Sequence, residues 1–293
     1  MANEPKLTRD QQREAARAKA RELREKQQSK DKRKKLTIQL SVVIAILAVV
    51  GVIVVSIASS PSTKGGSVPK SVAIFSHGGI KIGAGLKAFT TTSSPTPSAA
   101  ATATPGATAS AVPNIKLYLD YQCPFCEQFE TANSAQIRDW VTRGVATVEF
   151  HPISFLDGSS ANHYSSRAAN AAYCVAEKSP DSFFDFNEAL YANQPVEGTA
   201  GPDNNALYDI ATKVKASNLP ELQKCINGNS YGKFVADTTS SLLAPGKNIP
   251  ETKFHLTGTP FVMVNNQQFT YASNAERNDP ARFAQFVQQA SAQ

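Results

Sequence analysis

NIKLYLDYQCPFCEQF, residues 114–129, decides the fold of this chain. Ile115, Leu117 and Leu119 alternate along one face, which predicts a strand with one side buried. After Cys123 the period changes. Phe129, Asn133, Ile137 and Val141 fall on one stripe of a helix that starts at Pro124, and Gly144 can end it. Cys123 therefore stands where a strand runs into a helix N-terminus, and Cys126 lies one turn further on.

That placement is a mechanism. Free N–H groups and the macrodipole at a helix start favour an anion, so a thiolate at Cys123 has a lowered pKa and is the better nucleophile and leaving group. Cys126 is within bonding reach, and Pro124 at the first helical position sacrifices no hydrogen bond. Zinc is the competing use of a CxxC pair, but it needs four ligands in a closed shell. Cys174, Cys225 and the four scattered histidines offer no second CxxC or HxxxH, so no metal is assigned. Dithiol exchange itself needs no metal or organic cofactor.

The segments on either side extend the pattern. ATVEFHPISFL, from Ala146, is a second strand with Val148 and Phe150 on one side, which completes a β-α-β unit. From about residue 160 to 248 several helices follow with no strand between them. Cys174 lies in the Ala-rich SSRAANAAYCVAEK, and Cys225 in LPELQKCI. Phe183, Phe186 and Leu190 face the core of a helix that Asp181 or Ser182 caps, and Leu207, Ile210 and Val214 share a face. Strands return at FVMVN after Pro260; Asn265-Asn266 turns and QQFTY pairs back. A last helix opens at Asp279-Pro280 and buries Phe283, Phe286 and Val287. Cys174 and Cys225 lie on separate helices and are expected to form a structural bridge; a second redox pair relaying electrons is the alternative.

The N-terminal third is different. Residues 1–35 carry 13 Lys/Arg against 6 Asp/Glu, so the chain's net charge of +6 resides in this tail and the remainder sums to −1. A near-neutral C-terminal region argues against a nucleic-acid surface there. Leu36 to Ile57 is uncharged, and about 22 residues of helix span about 33 Å, enough for a bilayer core. KDKRKK directly precedes it, so the positive-inside rule places the N-terminus in the cytoplasm and the remainder outside. A signal peptide cleaved near Ser56-Ile57-Ala58 is the alternative, though its apolar core is normally shorter. All four cysteines follow this segment, in a compartment where disulfides persist. Residues 58–70 read as a flexible linker. Residues 71–89 read as a short β-hairpin, with Val72 and Ile74 facing Ile80 and Ile82 across Gly78-Gly79. Residues 90–113, rich in Thr, Ser, Pro and Ala, lack the apolar residues to build a core and read as disordered.

IKLYLDYQCPFCEQFE, VEFHPISFLD, SSRAANAAYCVAE and TGTPFVMVN together resemble the DsbA-like thioredoxin-fold oxidoreductases, above all the membrane-anchored forms of high-GC Gram-positive bacteria. The resemblance covers roughly residues 71–293. It implies an α/β thioredoxin fold with an inserted helical domain, here preceded by a single transmembrane helix. It implies that Cys123 is the nucleophile and Cys126 the resolving cysteine, with Pro124 and Phe125 as the active-site dipeptide. It implies a cis Pro260, with the Thr259 backbone pairing to an extended substrate. It also implies secreted or cell-envelope protein substrates, into which disulfides are introduced, and a quinone-linked membrane partner of the VKOR or DsbB kind for reoxidation. A reductase or isomerase, or a non-catalytic binding module on the same fold, remains as the alternative. Two positions depart from the family. Phe125 stands where enterobacterial DsbA has a histidine, and Leu117 stands where many thioredoxin-fold proteins bury an acid. Asp120 or Glu127 can take over proton transfer, or both can be solvated charges.

Overall fold

A computed structural model describes residues 77–90 and 112–292. The basic tail 1–35, the apolar segment 36–57, the linker 58–70 and nearly all of the 90–113 insertion lie outside the described residues, as does the arm holding Val72 and Ile74. Among the described residues no helix is long and apolar enough to cross a membrane.

Alternating apolar residues set the central strands. β3 (Asn114–Leu119) pairs in parallel with β4 (Thr147–Pro152), with Leu117 opposite Phe150. Helix α1 (Pro124–Thr142) connects them, which makes the unit β-α-β. Its stripe of Phe129, Asn133, Ile137 and Val141 is buried. Gly144 follows at φ 71, a left-handed conformation that a β-carbon would oppose, and its N–H reaches the Val141 carbonyl. β5 (Phe261–Val264) runs antiparallel on the other side of β3 and turns into β6 (Gln267–Gln268) through Asn265 and Asn266, both at positive φ.

β1 (Ile80–Gly83) joins β4 antiparallel and turns back at residues 84–86 into β2 (Lys87–Ala88), giving the sheet order β2-β1-β4-β3-β5-β6. Of the two expected helix caps, Ser182 takes the N-cap position of the helix Phe183–Ala192 without a side-chain hydrogen bond, and Asp181 binds this hairpin. Its carboxylate accepts from Lys87 Nζ at 2.8 Å and from the Ala88 N–H at 3.3 Å.

Between β4 and β5 lies the helical insertion: α2 (Tyr164–Lys178), α3 (Phe183–Ala192), α4 (Asn204–Lys213), α5 (Leu219–Asn227) and α6 (Gly232–Leu243). Ala-rich α2 is buried along most of its length, and a disulfide joins its Cys174 to Cys225 of α5. After β6 come the short α7 (Asn274–Arg277) and α8 (Pro280–Ser291), the latter capped by the Asp279 carboxylate. Phe283 and Val287 of α8 are buried and Phe286 is half-buried.

The sheet is covered on both faces, not one. Ile80, Ile115, Leu117, Val148 and Phe150 pack into the larger core with α1, α2 and α8. On the reverse face Tyr118, Phe261 and Met263 meet Leu242, Ile249 and Leu256. Burial on both sides holds the end of β3 in place, and that end carries the cysteines.

Candidate active site

Cys123 is the N-cap of α1, with Pro124 in the first turn. Its carbonyl accepts from the N–H groups of Cys126 (3.0 Å) and Glu127 (3.2 Å). Cys123 and Cys126 are free thiols and both are buried. The Cys123 thiol donates to the Thr259 carbonyl at 3.4 Å, and the Thr259–Pro260 peptide bond is cis. Chain positions 136 apart therefore meet at one sulfur.

The two sulfurs are driven apart electrostatically. A hydrogen bond from the Cys126 thiol does most to bring Cys123 down to about 7, with help from the Thr259 side chain and the Cys126 and Phe125 N–H groups, against the opposing effect of burial. The Thr259 hydroxyl is buried and makes no aligned hydrogen bond among the described residues. It is free to donate once a thiolate forms. Cys126 moves the other way: burial pushes its thiol well above the ordinary value, and hydrogen bonding and charge at Cys123 add to this. One member of the pair ionises near neutrality and the other stays protonated.

Three groups hold this arrangement. Asp120 is fully buried, so it is not a solvated charge. Its carboxylate accepts from the N–H groups of Gln122 and Leu156, each at 2.8 Å, and from the Ser165 hydroxyl. Burial pushes it up to about 6, and its charge in turn helps keep Cys126 protonated. Glu127, by contrast, is only partly buried.

Gln194, just beyond α3, donates from Nε2 to the carbonyls of Tyr121 and Cys123, both at 3.1 Å. Gln122 Nε2 donates to the Thr199 carbonyl at 3.1 Å, and the Tyr191 hydroxyl to the Asp120 carbonyl at 3.4 Å. The helical insertion thus grips the loop that presents Cys123.

Arg277 is the third group. It is 3% exposed, and its guanidinium lies 4.6 Å from the Phe125 ring centre and 5.6 Å from that of Tyr271. Gln128 Oε1 accepts from its Nη2 at 2.9 Å. Phe125 is one of the few large apolar side chains left exposed, at 46%. A cation under its ring fixes an otherwise loose side chain beside Cys123. Ser273 and Glu276 begin the short helix that carries Arg277, and their S-x-x-E spacing is the signal that could have revealed it.

A groove of about 270 Å³ is lined by Thr259, Pro260, Phe261, Gln268 and Tyr271 among others, and meets the pair through Thr259, whose carbonyl accepts from the Cys123 thiol. Pro124, Phe125, Thr259 and Pro260 therefore surround Cys123, whereas the Cys174–Cys225 bridge lies apart in the insertion.

One turn past Cys126, Glu130 is 3% exposed; among the described residues its one side-chain donor is Asn187 Nδ2, at 3.4 Å on Oε2. Burial pushes its carboxyl up to about 8, from 4.5. Folding therefore favours the protonated form: this stabilisation is complete below about pH 4.5 and is lost as pH rises through about 8. Glu130→Gln is expected to remove a fall in stability of about 2–3 kcal/mol between about pH 6 and 9. Urea midpoints measured across that range check it. An unchanged pH slope in the variant would contradict the assignment.

Comparisons with known proteins point to the same fold. The family model described as thioredoxin matches residues 101–288. The serine/threonine-protein kinase PknE of Mycobacterium tuberculosis is 30% identical over 181 residues, 59% of this chain and 29% of PknE. Disulfide bond formation protein D of Bacillus subtilis is 29% identical over 152 residues, 50% of this chain and 61% of that protein. The chain thus spans less than two thirds of either relative. Among solved structures, oxidised DsbA of M. tuberculosis is 25% identical, with a TM-score of 0.54, covering 73% of this chain and 93% of that one.

Proposed function

Because the chain belongs to the thioredoxin family and is DsbA-like, we propose that it is an extracytoplasmic thiol-disulfide oxidoreductase that introduces disulfides into secreted or cell-envelope proteins. The observation that carries this reading is the split between the two thiols: Cys123 at a helix N-terminus with its pKa at about 7, Cys126 buried and held protonated.

In the oxidised protein a substrate thiolate attacks Cys123 Sγ. The Cys123–Cys126 bond breaks, its electron pair leaves on Cys126, and that sulfur takes a proton, as its raised pKa favours. A second substrate thiolate attacks the substrate sulfur of the mixed disulfide and expels Cys123 as a thiolate. The substrate has lost two electrons and the protein has gained them. Stabilising the departing Cys123 thiolate favours the reduced protein and so drives oxidation of the substrate. An extended peptide fits the groove beside Thr259 and Pro260, where backbone groups can pair with it. A membrane anchor at residues 36–57 would hold the domain outside the cell, and a quinone-linked membrane partner of the VKOR or DsbB kind would take the electrons.

The test is a trap. In Cys126→Ala the mixed disulfide cannot be resolved internally, so Cys123 is expected to accumulate covalent adducts with secreted proteins, visible on non-reducing gels and lost in Cys123→Ser. If no adduct forms at Cys123, the enzyme reading fails and a binding module remains. The reduction potential separates direction: a value near about −120 mV supports oxidation, and one near about −270 mV a reductase.

A further inference from the structure

On the reverse face of the sheet, away from the cysteines, three side chains converge. The pairing of β4 with β1 and β3 puts Lys81, Glu149 and Lys116 in one row, with His151 opposite Tyr118 in the next. Residues 149 and 151 share a face because strand side chains alternate. His77, just before β1, comes to the same place. Its Nε2 and that of His151 each lie 3.0 Å from the same oxygen, Glu149 Oε1. The three donor atoms lie within 4.8 Å of one another.

The site is built, not incidental. His151 is 1% exposed and its ring stacks on Tyr118 with centres 4.2 Å apart. Among the described residues neither of its ring nitrogens finds an aligned hydrogen bond, although Nε2 is close to the carboxylate. A buried imidazole left in this state is costly unless something else engages its lone pair. Glu149 is fixed from behind: Asn114 Nδ2 donates to its other oxygen at 3.2 Å. Gly79 makes the room, since a β-carbon there would fall 2.1 Å from Glu149 Oε1.

We propose that His77, Glu149 and His151 bind a divalent transition-metal ion, with zinc the best match. Two imidazoles and one carboxylate are a zinc ligand set, which a water molecule can complete to four. Calcium and magnesium need more oxygen ligands than this cluster supplies. The bound ion ties the segment entering β1 to the central strand β4. Lys81 and Lys116 flank the carboxylate and oppose a cation, but Lys81 Nζ is drawn aside over the Phe89 ring, at 5.0 Å. The site is independent of the dithiol chemistry.

Full-length protein, with Cys123 and Cys126 oxidised to each other so that neither thiol can bind, is stripped with chelator and titrated calorimetrically with zinc sulfate. One zinc per chain is expected, with no response to calcium. Saturating zinc should raise the unfolding midpoint by about 5–10 °C. His77→Ala, at the partly exposed edge of the fold, is expected to weaken binding at least about tenfold. Glu149→Gln should do the same, and His77→Ala keeps the test decisive if that buried change impairs folding. No stoichiometric binding, or binding that His77→Ala leaves intact, would show that the trio is only a hydrogen-bonded cluster around a buried carboxylate.

Discussion

At pH 7 iodoacetamide is expected to modify Cys123 of the reduced protein at least about 100-fold faster than Cys126. Alkylation consumes the thiolate. With its pKa at about 7, Cys123 is roughly half ionised at that pH, whereas an ordinary thiol of pKa 9.0 is about 1% ionised. Lower basicity also means lower intrinsic nucleophilicity, which cancels much of that gain. Over a cysteine in an unstructured peptide the net advantage is therefore about fivefold. Over Cys126 it is far larger, because burial both raises that thiol's pKa and blocks access to it. The rate at Cys123 should climb about tenfold per pH unit below 7 and level off above it. Mass spectrometry of peptides from a pH series reads both cysteines at once. A midpoint near 9 for Cys123 would remove the physical basis of the proposed function.

Replacing Cys174 and Cys225 together by alanine is expected to cost about 4 kcal/mol of stability, because the bridge closes a long loop in the unfolded chain. The two cysteines are 51 residues apart and belong to α2 and α5. For a domain of this size that lowers the thermal midpoint by about 8–16 °C. Tyr191 and Gln194, from the same insertion, hold the carbonyls of Asp120, Tyr121 and Cys123. A loosened insertion should therefore also slow exchange at Cys123 at temperatures where the fold survives. A loss below about 1 kcal/mol would mean that the bridge constrains little, and would favour the electron-relay alternative. Graded reduction separates the two: a structural bridge should resist dithiol concentrations that fully reduce Cys123 and Cys126.

Wherever short-range patterns set a feature, the chain disclosed it. The stripe from Phe129 to Val141, the helix opening at Pro124, the Asn265-Asn266 turn and the Asp279-Pro280 start each depend on residues within a few positions of one another. What stayed hidden depends on tertiary approach. The burial of Asp120 is decided by Leu156 and Ser165, on segments that the β-α-β unit and the insertion bring back over it. Arg277 reaches Phe125 from the far end of the chain. Local capping rules fit Asp181 and Ser182 alike; Ser182 takes the N-cap position, while Asp181 serves the β2 strand about ninety residues earlier. Alternation in β3 indicated one buried face, while the second cover, from Leu242, Ile249 and Leu256, arrives from segments with no local link to it. His77, Glu149 and His151 have no spacing that a motif would capture; only the strand register gathers them.

Among the described residues, both borders of the sheet are two-residue strands, Lys87–Ala88 and Gln267–Gln268. A long bare border would expose a row of open amides to any extended polypeptide, including another copy of itself. On the proposed function, unfolded clients would present such chains continually. Stubs this short offer an extended chain little template, which limits pairing along these two described flanks by geometry alone.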